Sequence, residues 1–178
     1  SLLTTAFEIL SDKNFKVEDK IKSRLINSLS RCSGQLGIAG GQYLDLSYEK
    51  KKVSLHKILN MELKKTGKLF EFCCLGPLLI KKNKKNLNSF SKIGKDIGLL
   101  FQIIDDLIDF KGETKLAGKK TKKDKKKGKA TIISLLGHDN AVKYANKLKL
   151  NIYNKLKSHN KKADDLRETI NFIMERNK

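Results

Sequence analysis

The sequence predicts an all-α protein, and three observations carry that expectation. Apolar residues recur three and four apart along almost the whole chain, as on one face of a helix. No segment alternates apolar and polar residues in the manner of a half-buried strand. Only one proline, Pro77, stands in 178 residues, so little interrupts long helices. With 39% hydrophobic residues the chain can bury one core, and neither an internal repeat nor a second domain is visible.

The elements follow in order. Leu2 to Leu10 reads as a helix that starts inside an apolar pattern, with no lead-in, as the middle of something longer would. Ser11 to Asn14 breaks it. Val17 to Cys32 carries Ile21, Leu25, Ile26 and Leu29 as a core-facing stripe. Gly34, Gly37, Gly40 and Gly41 follow, and glycines so placed mean close packing or a kink. Lys50 to Lys52 marks a loop. Ser54 can cap a long helix from Leu55 to Ile80, which Pro77 should kink or end. Lys81 to Asn86 is a polar turn. Leu87 to Phe110 is the most hydrophobic helix, and a lysine-rich loop covers Lys111 to Lys129. Three segments close the chain: Ala130 to Leu136, Asp139 to Ser158 and Ala163 to Arg176.

Composition narrows the function. The net charge is +20, nearly all of the excess being lysine, against four arginines: Arg24, Arg31, Arg167 and Arg176. Such a balance suits nucleic acid, an anionic membrane surface or an acidic small substrate. Aromatic residues make up 7% and tryptophan is absent, whereas a nucleic-acid site usually joins arginine to stacking aromatics. The expectation is therefore no nucleic acid. Cys32, Cys73 and Cys74 are odd in number and include an adjacent pair, which argues against a disulfide framework and reads as small buried side chains. No signal peptide and no apolar run of membrane-spanning length appear, so a cytoplasmic protein without an integral membrane segment is expected. His56, His138 and His159 stand apart from every motif and read as surface residues.

The richest stretch for chemistry is Gly98 to Phe110. Apolar residues fill most of it, and the exceptions are Gln102, Asp105, Asp106 and Asp109. At ~3.6 residues per turn Gln102, Asp105 and Asp109 share a face, with Asp106 beside them, in a helix otherwise expected to be buried nearly all round. Asp105 and Asp109 lie one turn, about 6 Å, apart along the axis. Carboxylates this close repel, and burial without counter-charge is costly. Magnesium suits them, being a hard cation that shares oxygen ligands between carboxylates and phosphates. No His or Cys lies nearby to suggest zinc. Taken alone, the motif fits equally a solvated face paired with lysines.

Four ordered stretches extend the reading. Phe101-Gln102-Ile103-Ile104-Asp105-Asp106-Leu107-Ile108-Asp109 resembles the second aspartate-rich motif of the trans-type isoprenyl diphosphate synthases. Gly40-Gly41-Gln42-Tyr43-Leu44-Asp45-Leu46 resembles that family's GQ-x-x-D-L segment, and Lys64-Lys65-Thr66-Gly67 its K-T-G segment. Ala117-Gly118-Lys119, Asp124 and Gly128-Lys129-Ala130-Thr131 resemble its lysine-bearing loop. The tail from Phe172 to Lys178 is similar to the C-terminus of bacterial farnesyl diphosphate synthases. The resemblance spans essentially the whole chain.

What the resemblance implies is a helical bundle around a central cavity, of which residues 1–178 are the C-terminal portion. It implies condensation of an allylic diphosphate with isopentenyl diphosphate, with release of pyrophosphate and magnesium as cofactor. Asp105 would contact the metal directly, and Asp106 and Asp109 directly or through water. Lys65, Lys119 and Lys129 would bind the allylic diphosphate, Thr66 and Gln102 would position the reacting end, and Gln42 and Asp45 would line or support the cavity. A homodimer is implied as well. The family's first aspartate-rich motif and its isopentenyl-diphosphate-binding residues are absent from these 178 residues, so this chain alone is expected to be inactive and product length is not legible. Three other functions compete: a non-catalytic partner subunit of a heteromeric synthase, a basic nucleic-acid-binding domain, and a magnesium-dependent terpene cyclase. The intact aspartates and K-T-G weigh against the first, and the GQ and K-T-G segments weigh against the last.

Overall fold

The computed structural model describes residues 1–117, backbone alone over 113–117, and residues 131–176. The described residues are mostly helical, with no strand among them. The α-helices are α1 (Leu2–Ser11), α2 (Asp19–Ser33), α3 (Ile38–Tyr48), α4 (Leu55–Glu62), α5 (Lys68–Ile80), α6 (Leu87–Ala117), α7 (Ile132–Leu136), α8 (His138–Leu156) and α9 (Asp164–Glu175). A π-turn, Leu63–Gly67, joins α4 to α5, and a 3-10 stretch, Lys157–Ala163, joins α8 to α9.

α6 is the axis of the bundle. Its buried residues Ile93, Ile97, Leu100, Ile104 and Leu107 fall at alternating spacings of four and three, the period that keeps one helix face on a partner. α5 packs most closely along it, with α8 next, while α4, α7 and α9 complete the cover. α8 answers with Ala141, Ala145, Leu148, Ile152 and Leu156, spaced by three or four residues so that they too share one face. Each fully buried Leu or Ile contributes roughly 1.5–3 kcal/mol. α2 lays Leu25 and Leu29 beside α5. α1 buries none of its residues and leaves Leu2 and Ile9 largely exposed.

Several boundaries differ from the sequence expectation. The single helix anticipated over 55–80 is interrupted by the π-turn at Leu63–Gly67, well before Pro77. Pro77 sits in the last turns of α5, and its carbonyl accepts the Lys81 amide as the helix ends. α6 runs to Ala117, seven residues past the expected end at Phe110. Ser54 is in the N-cap position of α4, yet its side chain makes no capping hydrogen bond. The glycine-rich stretch starts a further helix, α3, with Gly37 at its N-cap. Thr131 caps α7 through a reciprocal pair with Ser134.

The histidines and cysteines are less uniform than expected. His56 is exposed, but His159 packs edge-on against Phe90 and His138 lies against Phe110. All three thiols are free; Cys32 is buried, Cys74 half-buried and Cys73 exposed. Burial pushes the Cys74 thiol up to about 11.

Candidate functional site

α3, the π-turn and α6 meet at one end of the bundle, and glycine permits the approach. A Cβ on Gly41 would lie 2.2 Å from the Lys65 backbone nitrogen, so only glycine lets α3 touch the turn. A Cβ on Gly98 would lie 2.5 Å from Gly67 Cα, which brings α6 against the other side. The extra residue in a π-turn is a device often found at functional positions. Here Lys65 reaches across to α3 and Thr66 to α6.

Lys65 Nζ donates to Asp45 Oδ2 at 2.5 Å, and Asp45 is buried. Thr66 Oγ1 donates to Gln102 Oε1 at 3.3 Å, and Gln102 Nε2 donates to Asp106 Oδ1 at 3.2 Å. A line of hydrogen bonds thus runs from the K-T-G turn into the aspartate strip, joining residues 36 positions apart in sequence. Gln42 is exposed, one turn from Asp45 on α3. Asp45 is the ion-pair partner of Lys65. Lys119 and Lys129 lie outside the described residues.

The strip itself is half open. The core-facing side of α6 is buried as far as Leu107, but Asp109 is exposed and the Asp105 side chain is 47% exposed, with Asp106 half-buried between them. The expectation of a helix enclosed nearly all round fails at this end, where the strip forms an edge facing solvent. Cavities of about 260 and 640 Å³ lie between α2 and the α5–α6 pair, one of about 530 Å³ lies between α6, α8 and the end of α9, and none of the three is lined by Lys65, Thr66 or Gln102.

Two features were missed by sequence reasoning. Arg176, just past α9, donates from Nη2 to Asp105 Oδ1 at 2.8 Å and stacks its guanidinium 4.2 Å from the centre of the Phe101 ring. Its membership among only four arginines was the available signal. The second is buried Glu71, which accepts from Ser91 at 2.5 Å and pairs with Lys68 at 2.8 Å and Lys95 at 3.1 Å, fastening α5 to α6. Burial works to raise the Glu71 carboxyl, but the hydrogen bonds from Lys68, Ser91 and Lys95 outweigh it and hold the group below its ordinary value.

Among the described residues no three His, Cys, Asp or Glu side chains converge as a metal cage. Magnesium does not require one: it is commonly held by one or two carboxylates, with waters and phosphate oxygens completing the octahedron. Asp105, half-exposed and paired with Arg176, and Asp109, exposed, are hard oxygen donors a turn apart and fit a half-site of that kind.

The polyprenyl synthetase family profile matches residues 1–173. The chain is 34% identical over its full length to the farnesyl diphosphate synthase of Micrococcus luteus, of which it covers 61%. In structure it is similar to an FPP/GFPP synthase from Zymomonas mobilis, with a TM-score of 0.81 and 34% identity over 96% of this chain and 57% of that one. It is likewise similar to a Helicobacter pylori geranyltransferase solved with magnesium and isoprenyl diphosphate, with a TM-score of 0.76 and 30% identity over 96% of this chain and 56% of that one. The chain spans about three fifths of the length of the curated relatives it matches. Among the described residues no helix is long and apolar enough to cross a membrane.

Proposed function

The chain belongs to the polyprenyl synthetase family, and from that footing we propose that it supplies one half of the diphosphate site of a magnesium-dependent prenyltransferase. The whole protein would join an allylic diphosphate to isopentenyl diphosphate. The allylic C–O bond breaks with its electron pair leaving on pyrophosphate. The double bond of isopentenyl diphosphate closes the new C–C bond, and a proton is then lost to the departing pyrophosphate. The observation that carries this reading is the hydrogen-bonded line Thr66–Gln102–Asp106, which couples the K-T-G turn to the aspartate strip.

Asp105 and Asp109 would hold magnesium, with Asp106 behind them, and when bound the metal supplies Lewis-acid neutralisation of the leaving pyrophosphate. Lys65 would meet the same diphosphate as a point charge; its pairing with Asp45 fixes the ammonium in place beforehand. Thr66 and Gln102 would hold the reacting end, Gln102 keeping its carbonyl toward Thr66 because its amide is committed to Asp106. Lys119 and Lys129 are the remaining diphosphate contacts in this reading. The similar Helicobacter pylori geranyltransferase was solved in complex with magnesium and isoprenyl diphosphate, which supports the same ligand classes for this chain. Assembly as a homodimer in the cytoplasm belongs to the proposal, supported by the uncovered apolar side chains of α1 and by three free thiols.

Calorimetric titration with pyrophosphate tests the half-site. Binding should require magnesium, weaken about tenfold in Lys65→Gln, the scale of one lost charge-assisted contact, and fail in the double variant Asp105→Asn/Asp109→Asn. Equal binding in the presence of EDTA, or in the double variant, would overturn the proposal.

A further inference from the structure

Arg176 connects the end of α9 to the aspartate strip across 71 residues of sequence. The contact is no solvated surface pair. The Arg176 side chain is 17% exposed, its guanidinium lies on the Phe101 ring, and Nη2 donates to Asp105 Oδ1 at 2.8 Å. Its Nε is buried and has no hydrogen-bond partner among the described residues. Among the described residues the cation is held by the Asp105 carboxylate and an aromatic face, with its Nε–H donor unused. Release into water would satisfy that donor, so the docked state depends on Asp105 remaining available.

We infer that Arg176 is a built-in competitor of the divalent cation at Asp105. This rests on the proposal that Asp105 is a metal ligand. While the strip carries no metal, the guanidinium offsets part of the repulsion among three closely spaced carboxylates. A divalent cation on Asp105 sits beside that guanidinium with the same sign of charge, so loading the strip favours undocking of the end of α9. Linkage makes the effect reciprocal: a docked Arg176 lowers metal affinity by the factor by which metal loosens Arg176. The residue thereby ties the position of the end of α9 to the state of the strip.

The test uses the 178-residue chain with Mn²⁺ as the probe, free ion being counted by electron paramagnetic resonance in the presence of pyrophosphate. Arg176→Gln should tighten Mn²⁺ binding about tenfold, the order expected when one of two like charges flanking a carboxylate is removed. Arg176→Lys, which keeps the charge but loses the fork and the planar stack, should fall between. Asp105→Asn should weaken binding and erase the gain from Arg176→Gln. On the unmodified chain, the side-chain Nε–H signal of Arg176, one of only four arginines, should be protected without metal and exchange with water when Mg²⁺ and pyrophosphate are added. If Asp105→Asn weakens Mn²⁺ binding but Arg176→Gln leaves it unchanged or weaker, the metal reading stands and the competition is overturned. If Asp105→Asn has no effect, or no Mn²⁺ binds, both fall.

Discussion

Gly41→Ala probes the contact on which the site is built. A Cβ at this position would lie 2.2 Å from the Lys65 backbone nitrogen, 2.5 Å from its Cα and 2.7 Å from its Cβ. Alanine in a helix interior gains about 1 kcal/mol over glycine in intrinsic propensity. Overpacking against a neighbour that must shift costs about 1–3 kcal/mol, and a backbone neighbour puts the cost near the upper end. The net expectation is destabilisation of about 1–2 kcal/mol, with Lys65 pushed away from Asp45 and pyrophosphate affinity reduced about fivefold. Gly112→Ala is the control, since nothing lies within 4 Å of a Cβ there and the same substitution should stabilise by up to about 1 kcal/mol. Urea unfolding followed by circular dichroism reads both. The close approach of α3 to the turn is refuted if Gly41→Ala is as stable as the unchanged chain or if the two variants shift in the same direction.

Other outcomes follow from single contacts. Gln102→Leu removes the link between Thr66 and Asp106 and should cost about 1–2 kcal/mol of stability together with roughly tenfold in magnesium-dependent pyrophosphate affinity; unchanged affinity would detach the line from function. Glu71 is held below its ordinary value in the folded chain, so its contribution is complete above the unfolded carboxylate range, near pH ~4.3, and drains as pH falls through the folded value. Glu71→Gln should accordingly flatten the acid limb of the stability curve while lowering stability at neutral pH, and an unaltered acid limb would contradict the assignment. Ile103→Ala, at a residue with no exposed surface in the centre of α6, should cost about 2–5 kcal/mol in the same urea titration, and a loss under 1 kcal/mol would place the core elsewhere.

The aspartate strip was legible because charged residues on an otherwise apolar helix contradict its period, and α6 does carry Gln102, Asp105, Asp106 and Asp109 together. Its surroundings were not. The π-turn at Leu63–Gly67 leaves no mark in the pattern, because its one extra residue falls among Lys64, Lys65 and Thr66, where no apolar stripe is present to show a shift of phase. α3 was hidden by its glycines, whose value lies in what touches them and not in local propensity. Asp45 was expected to line or support a cavity, and its pairing with Lys65 twenty positions away is a fact of helix packing that the sequence does not display. Arg176 was the least legible, since nothing in the local sequence of a C-terminal helix points to a carboxylate 71 positions earlier. Enclosure of the strip was overestimated for a related reason: apolar residues at Ile108 and Phe110 suggested burial on every side, while α6 is uncovered at Asp109.

Paramagnetic broadening by Mn²⁺ in the presence of pyrophosphate tests the central claim most directly. The account predicts that the side-chain amide of Gln102 and the backbone amides of Lys65, Thr66 and Asp106 broaden first, while α2 and the Glu71 cluster keep sharp signals. Broadening centred on Glu71 or Glu18, with Gln102 and Thr66 untouched, would contradict it.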